Sequence, residues 1–224
     1  MSWALFARAF LAWSLAELGR FDEAGAVGEE SLRMAQAIDE PYTLMHGYFG
    51  AGIPYLARGD VARAIPPLER GLALCQATEN HLWLGEIAAD LGLAYALAGR
   101  IDDALPVLEF ALKEAATTGP RQTYARQHAQ VGEGYLLAGQ RDEAARLVAI
   151  ALEAARAQKQ RGQEAAALKR AGGGQARLAK PAPQMGGARS PGARVCVHPG
   201  AHRPWGRPPP PYLGCVHSIA SAAL

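Results

Sequence analysis

A glycine returns every 40 residues: "GRFDEA" begins at Gly19, "GDVARA" at Gly59, "GRIDDA" at Gly99 and "GQRDEA" at Gly139, each with an alanine five positions later. A strict period of this length restricts the chain to folds in which one small unit stacks on the next, because a single unit cannot bury its own apolar face. Aligned on the glycines, the segments before them are "LAWSLAELG", "AGIPYLARG", "LGLAYALAG" and "VGEGYLLAG". Those after them include "DVARAIPPLERGLALCQ" and "RIDDALPVLEFALKEAA". Each block reads as helix, turn, helix.

The third block shows the physics. Ile87, Leu91 and Tyr95 recur at every fourth position and fall on one helical face, which Leu84 extends by a turn. Ala98 ends this helix, and Gly99 adopts the left-handed stop at little cost. Asp102 and Asp103 open the next helix, where Asp102 is expected to cap orphan amide groups and to oppose the dipole. Leu105, Leu108 and Leu112 are expected to form its buried stripe. Small residues hold a fixed register, with Gly52, Gly92 and Gly132 in first helices and Ala24, Ala64, Ala104 and Ala144 in second helices. Such positions let paired helices approach closely.

The pattern predicts helices near 3–18, 22–38, 42–58, 61–78, 82–98, 102–117, 121–138 and 142–159. A ninth begins near Gly162 and should end at Gly172–Gly174. Pro54, Pro66 and Pro67 mark expected kinks.

The run "LGLAYALAGRIDDALPVLEFAL", with Leu91, Gly92, Tyr95, Gly99, Ala104 and Ala111, resembles the tetratricopeptide repeat, and "VGEGYLLAGQRDEAARLVAIAL" matches nearly as well. That family's unit is about 34 residues, so the 40-residue period implies longer helices. In the first block Ala12 and Leu15 replace the glycine and tyrosine. More narrowly, residues 1–169 look like the long tetratricopeptide-type repeats that follow a class III adenylate/guanylate cyclase or an AAA-type signalling ATPase in large bacterial signalling proteins. No catalytic motif of either upstream domain is present. The resemblance implies a right-handed superhelix and a scaffolding or sensing role.

Charge divides the chain. Residues 1–170 carry 17 Lys and Arg against 21 Asp and Glu, and residues 171–224 carry 6 against none, within a total of +2. The 54 residues after Arg170 include nine prolines and nine glycines and read as a basic tail, either disordered or translated out of frame. Three cysteines form no disulfide framework, and no uncharged 18-residue stretch exists, so a cytoplasmic protein without a membrane span is expected.

Chemistry is sparse. "CVHPGAH" at 196–202 and "CVH" at 215–217 lack the C-x2-C step of a zinc site, and "RPPPPY" at 207–212 reads as polyproline II or as an accident of composition. The tail's cations are dispersed, which argues against a nucleic-acid interface. His46, His81 and His128 have no spaced nucleophile and read as packing or surface residues, and no phosphate loop or catalytic motif occurs. Arg126 and Glu133, two turns apart, read as a solvated face. No cofactor, metal or enzymatic activity is expected.

The expected fold is therefore all-α: a superhelical solenoid of four antiparallel helical hairpins in residues 1–170, followed by an unstructured tail in 171–224. Carrying the family's groove positions across gives Phe6, Trp13, His46, Phe49, Ile53, Glu86, Leu93, Arg126 and Glu133 as a candidate groove for a protein or peptide. Packing of these aromatic residues between repeats is the alternative. The carboxylate clamp of chaperone-binding relatives needs paired asparagines, and Asn80 is the single asparagine. Two functions stay open: a scaffold or regulatory arm that binds a protein, and a ligand- or peptide-sensing domain acting on an effector outside this chain. Uncapped ends predict self-association.

Overall fold

The periodic glycines end four helices in the same way. Gly19, Gly59, Gly99 and Gly139 have φ of +77°, +86°, +76° and +82°, a left-handed conformation that costs a residue with a Cβ about 1–2 kcal/mol. The following amide then reaches back five residues, as from Arg100 N to Tyr95 O at 2.9 Å and Gln140 N to Tyr135 O at 2.9 Å. The second helix of each hairpin ends on the same 40-residue period, at Asp39, Glu79, Gly119 and Lys159, all with positive φ. The glycine pattern did not reveal this second series, because three of its four members carry long or charged side chains.

The computed structural model describes residues 3–119 and 122–178, with side chains as far as Arg170. The order is α1 (Trp3–Glu17), α2 (Phe21–Ile38), α3 (Pro41–Arg58), α4 (Val61–Ala77), α5 (His81–Leu97), α6 (Ile101–Thr118), α7 (Tyr124–Leu137), α8 (Arg141–Ala157) and α9 (Arg161–Leu178). The described residues are helical throughout apart from short turns. The "CVHPGAH", "CVH" and "RPPPPY" motifs lie outside them.

Consecutive helices pair as hairpins, and the first helices also touch one another, α1 on α3, α5 on α7 and α7 on α9, with a sparser α3–α5 contact. The second helices α2, α4, α6 and α8 do not approach each other backbone to backbone, although Arg63 of α4 reaches Glu29 of α2 at 2.8 Å. The first helices thus form the inner layer of a solenoid and the second helices its outer layer.

Close approach within hairpins depends on the small residues. A Cβ at Gly92 would lie 2.6 Å from Leu108 Cδ2, and one at Gly52 would lie 2.8 Å from Leu68 Cγ. Ala64 and Ala104, on the facing helices, are fully buried. One apolar cluster then runs from Met45 through Ile87 and Leu108 to Leu147, joining hairpins two to four.

Four expectations need correction. Asp102 does not cap α6: that helix starts at Ile101 with Arg100 in the cap position and no side-chain cap, while Asp103 instead binds Arg100 Nε at 2.8 Å. The buried stripe of α6 is Ala104, Val107, Leu108, Ala111 and Ala115, with Leu105 and Leu112 only half-buried. The ninth helix does not stop at Gly172–Gly174 but continues to Leu178. Glycine weakens a helix by about 1 kcal/mol per residue without forbidding it. Arg126 does not sit on a solvated face; it is 4 % exposed.

Candidate interaction surface

Stacking at a fixed period places residues of equal register side by side on the inner layer. Phe6, His46, Glu86 and Arg126 form one such series, and Phe10, Gly50, Asp90 and Gln130 another. Their character changes from aromatic in the first two hairpins to ionic in the last two.

The aromatic half is tightly knit. Trp83 sits 5.7 Å from Phe10, 5.2 Å from His46 and 5.6 Å from Phe49 between ring centroids, filling the sparse seam between α3 and α5. Edge-on and tilted contacts of this kind contribute about 0.5–1.5 kcal/mol each beyond area burial. His46 Nδ1 donates to Tyr42 O, 2.9 Å away. Burial lowers its pKa against the opposing pull of that carbonyl, which keeps the ring neutral at pH 7.

The ionic half is a buried cluster joining α5 to α7. Arg126 binds Glu86 through Nη1, and its Nη2 donates to Asp90 Oδ1 at 2.8 Å. Gln130 Nε2 donates to the same Asp90 oxygen at 2.5 Å. All three charged groups are almost completely buried, so two carboxylates share one guanidinium away from water. Burial pushes Glu86 up to about 7, with Asp90 adding to the rise and Arg126 opposing it. Asp90 is likewise raised by burial, against Arg126 and Gln130. The cluster ties α5 to α7 across a repeat junction, and within it Glu86 Oε2 and Gln130 Oε1 are buried without a hydrogen-bond partner.

Trp13 connects the halves. Its ring lies 6.0 Å from Phe49, and the Arg126 guanidinium stacks over it at 4.6 Å, so α1 reaches α7 across the inner face. Trp13 Nε1 donates to Glu17 Oε1 at 3.0 Å.

Among the nine proposed groove positions, Phe49, Ile53 and Leu93 are buried apolar residues, and His46, Glu86 and Arg126 are buried polar ones. Phe6, Trp13 and Glu133 keep partial access to solvent, and Glu133 accepts from Arg170 Nε at 2.9 Å. The structure adds Phe10, Trp83, Asp90 and Gln130. The signal for two of these was available, since Arg126 is 40 residues from Glu86 and Gln130 is 40 from Asp90. A register that stacks opposite charges names an inter-repeat ion pair. His128 is buried, while His81 is exposed and contacts Glu114 at 3.1 Å.

Beside Glu86, a cleft lined by His81, Gly85, Thr123 and Gln127 has a volume of about 10 Å³, room for roughly one water. Among the described residues no three His, Cys, Asp or Glu groups are placed to hold a metal. Among the same residues no helix is long and apolar enough to cross a membrane.

A solved structure described as "Podosopora anserina putative kinesin light chain nearly identical TPR-like repeats" matches over 78% of this chain and 96% of its own, with a TM-score of 0.54 and 20% identity. The likeness shows the fold, a tetratricopeptide-like α-solenoid. No family model matches the sequence. No curated protein matches it either.

Proposed function

We propose that the chain is a non-enzymatic interaction module that takes a protein or peptide segment on its inner face, with Trp13 as the anchor. The observation that carries this reading is the state of Trp13: partly exposed, yet held from several sides by Phe49, Arg126 and Glu17. A large aromatic surface fixed before binding loses little entropy on contact, which is the property of an interface hot spot. Phe6 and Phe10 extend the apolar strip along α1, and exposed Glu17 gives it an anionic edge. The partner segment therefore carries an apolar side chain next to a basic one, as an amphipathic helix or an extended strand.

Supporting a non-enzymatic role, Glu86, Asp90 and Arg126 are engaged with each other in the interior. For the setting we propose a regulatory arm of a larger bacterial signalling protein, supported by the likeness of the runs around Gly59, Gly99 and Gly139 to the repeats of such proteins.

Selection of peptides from a random displayed library on the full chain tests this. The expected result is a set sharing an apolar and a basic residue, whose affinity falls at least about tenfold with Trp13→Ala. Peptides that bind Trp13→Ala as tightly as the parent would refute the assignment.

A further inference from the structure

The outer side of α1 carries a second surface, independent of the inner face. Ala4, Ala7, Leu11 and Ser14 lie on one stripe of that helix and are all exposed, Leu11 at 48 %. The residues of equal register in the next two hairpins are buried: Leu44, Gly47, Ala51 and Pro54 in α3, and Leu84, Ile87, Leu91 and Ala94 in α5. In α7, Gln127, Val131 and Gly134 are buried at the same register. The stripe is thus a repeat-to-repeat contact face without such a contact among the described residues. It also lacks the charge expected of a terminal cap, since no Asp, Glu, Lys or Arg stands on it and Leu18 prolongs it at 73 % exposure.

What covers the equivalent faces is on view three times. The face of α3 meets small residues of α2: a Cβ at Gly47 would lie 2.7 Å from Ala35 Cβ, and one at Gly28 would lie 3.2 Å from Ala51 Cα. In the next hairpin a Cβ on Gly71 of α4 would touch Ile87 of α5 at 3.7 Å. Beyond it, Gln127 of α7 donates to Ala111 O of α6 at 3.1 Å. The receiving helix therefore always presents a small residue and, four positions on, a second one: Ser31 and Ala35, Gly71 and Cys75, Ala111 and Ala115. Ala151 and Ala155 of α8 continue the series, with Ala151 packed against Ala167 of α9.

We infer that the Ala4–Ala7–Leu11–Ser14 face docks a further helical hairpin of this same repeat type, one whose second helix carries two small residues four positions apart. The docked hairpin would continue an interface the chain already forms at each of its internal junctions, α2 on α3, α4 on α5, α6 on α7 and α8 on α9. Among the described residues a second copy of the chain does not meet the requirement, because each receiving helix there, α2, α4, α6 and α8, is already covered by the following first helix.

The test fuses a copy of residues 81–120 directly before Met1 of the full chain, which preserves the 40-residue register. The added hairpin should raise Tm by roughly 5 °C or more in a single transition. Leu11→Glu should abolish that gain in the fusion while shifting the unfused chain by no more than about 2 °C, since Leu11 is exposed there. Independently of stability, Leu11→Cys should label with iodoacetamide at least about tenfold more slowly in the fusion than in the unfused chain. No gain in Tm, a gain that survives Leu11→Glu, or unchanged labelling would overturn the inference. So would sedimentation of the unfused chain as a dimer that Leu11→Glu dissociates, because the face would then take a second copy.

Discussion

Replacing Gly92 and Gly132 by alanine should have opposite consequences, although both stand at the same register and both sit inside helices. Each substitution gains about 1 kcal/mol of helix propensity. At Gly132 the new methyl would lie 3.2 Å from Val148 Cγ2 and 3.3 Å from Ala144 O, a contact relieved by a shift of a few tenths of an ångström. The propensity gain is then largely retained. At Gly92 it would lie 2.6 Å from Leu108 Cδ2 and 2.7 Å from Leu108 Cγ, with Leu108 N at 3.3 Å. Leu108 is fully buried and also lies against Gly134, where a Cβ would be 2.5 Å away, so it has little room to retreat. Overpacking of this kind costs about 1–3 kcal/mol and exceeds the gain. The expected outcome in urea unfolding is a Gly132→Ala variant at least as stable as the parent, and a Gly92→Ala variant about 1–2 kcal/mol below Gly132→Ala. A Gly92→Ala variant equal to or more stable than Gly132→Ala would refute the close-approach reasoning.

Two further predictions concern the buried cluster. Arg126→Met leaves Glu86 and Asp90 buried without their cation and should cost about 3–5 kcal/mol in chemical denaturation; adding Glu86→Met and Asp90→Leu to it should recover much of the loss. Glu86 has a pKa raised from its unfolded value of 4.5 to about 7, so the folded state holds the extra proton between those values and stability declines as pH rises from about 4.5 to 7. Burial depresses His46 and His128 and acts with the opposite sign near their unfolded 6.5, so the informative quantity is the difference from Glu86→Gln. That variant should lose the Glu86 slope and gain on the parent as pH rises from 5 to 8 in thermal melts; a constant difference across that range would contradict the assignment.

Much of the fold was legible because its determinants are local and repeated. Gly99 stops a helix through its own backbone, and Gly92 and Ala104 mark close approach wherever they recur. Asp102 misled because a carboxylate in the first turn favours a helix N-terminus from several positions, and only the observed start at Ile101 separates cap from first turn. Asp39, Glu79 and Lys159 hide the second series of stops because nothing in an acidic or basic side chain announces positive φ. The inner face was legible by position but not by state. Whether Phe49 is a floor or a core residue depends on how closely α1 curves toward α7, a property of the whole stack that the Trp13–Arg126 contact reports.

The central claim is that the inner face around Trp13 is the surface that meets the partner. Its most direct measurement is an amide and indole NMR titration of the full chain with a selected peptide. The account predicts that the Trp13 indole N–H and the amides of Phe6, Phe10 and Glu17 shift together and saturate with one affinity. Shifts confined to the outer helices α2, α4 and α6, with the Trp13 indole signal unmoved, would contradict it.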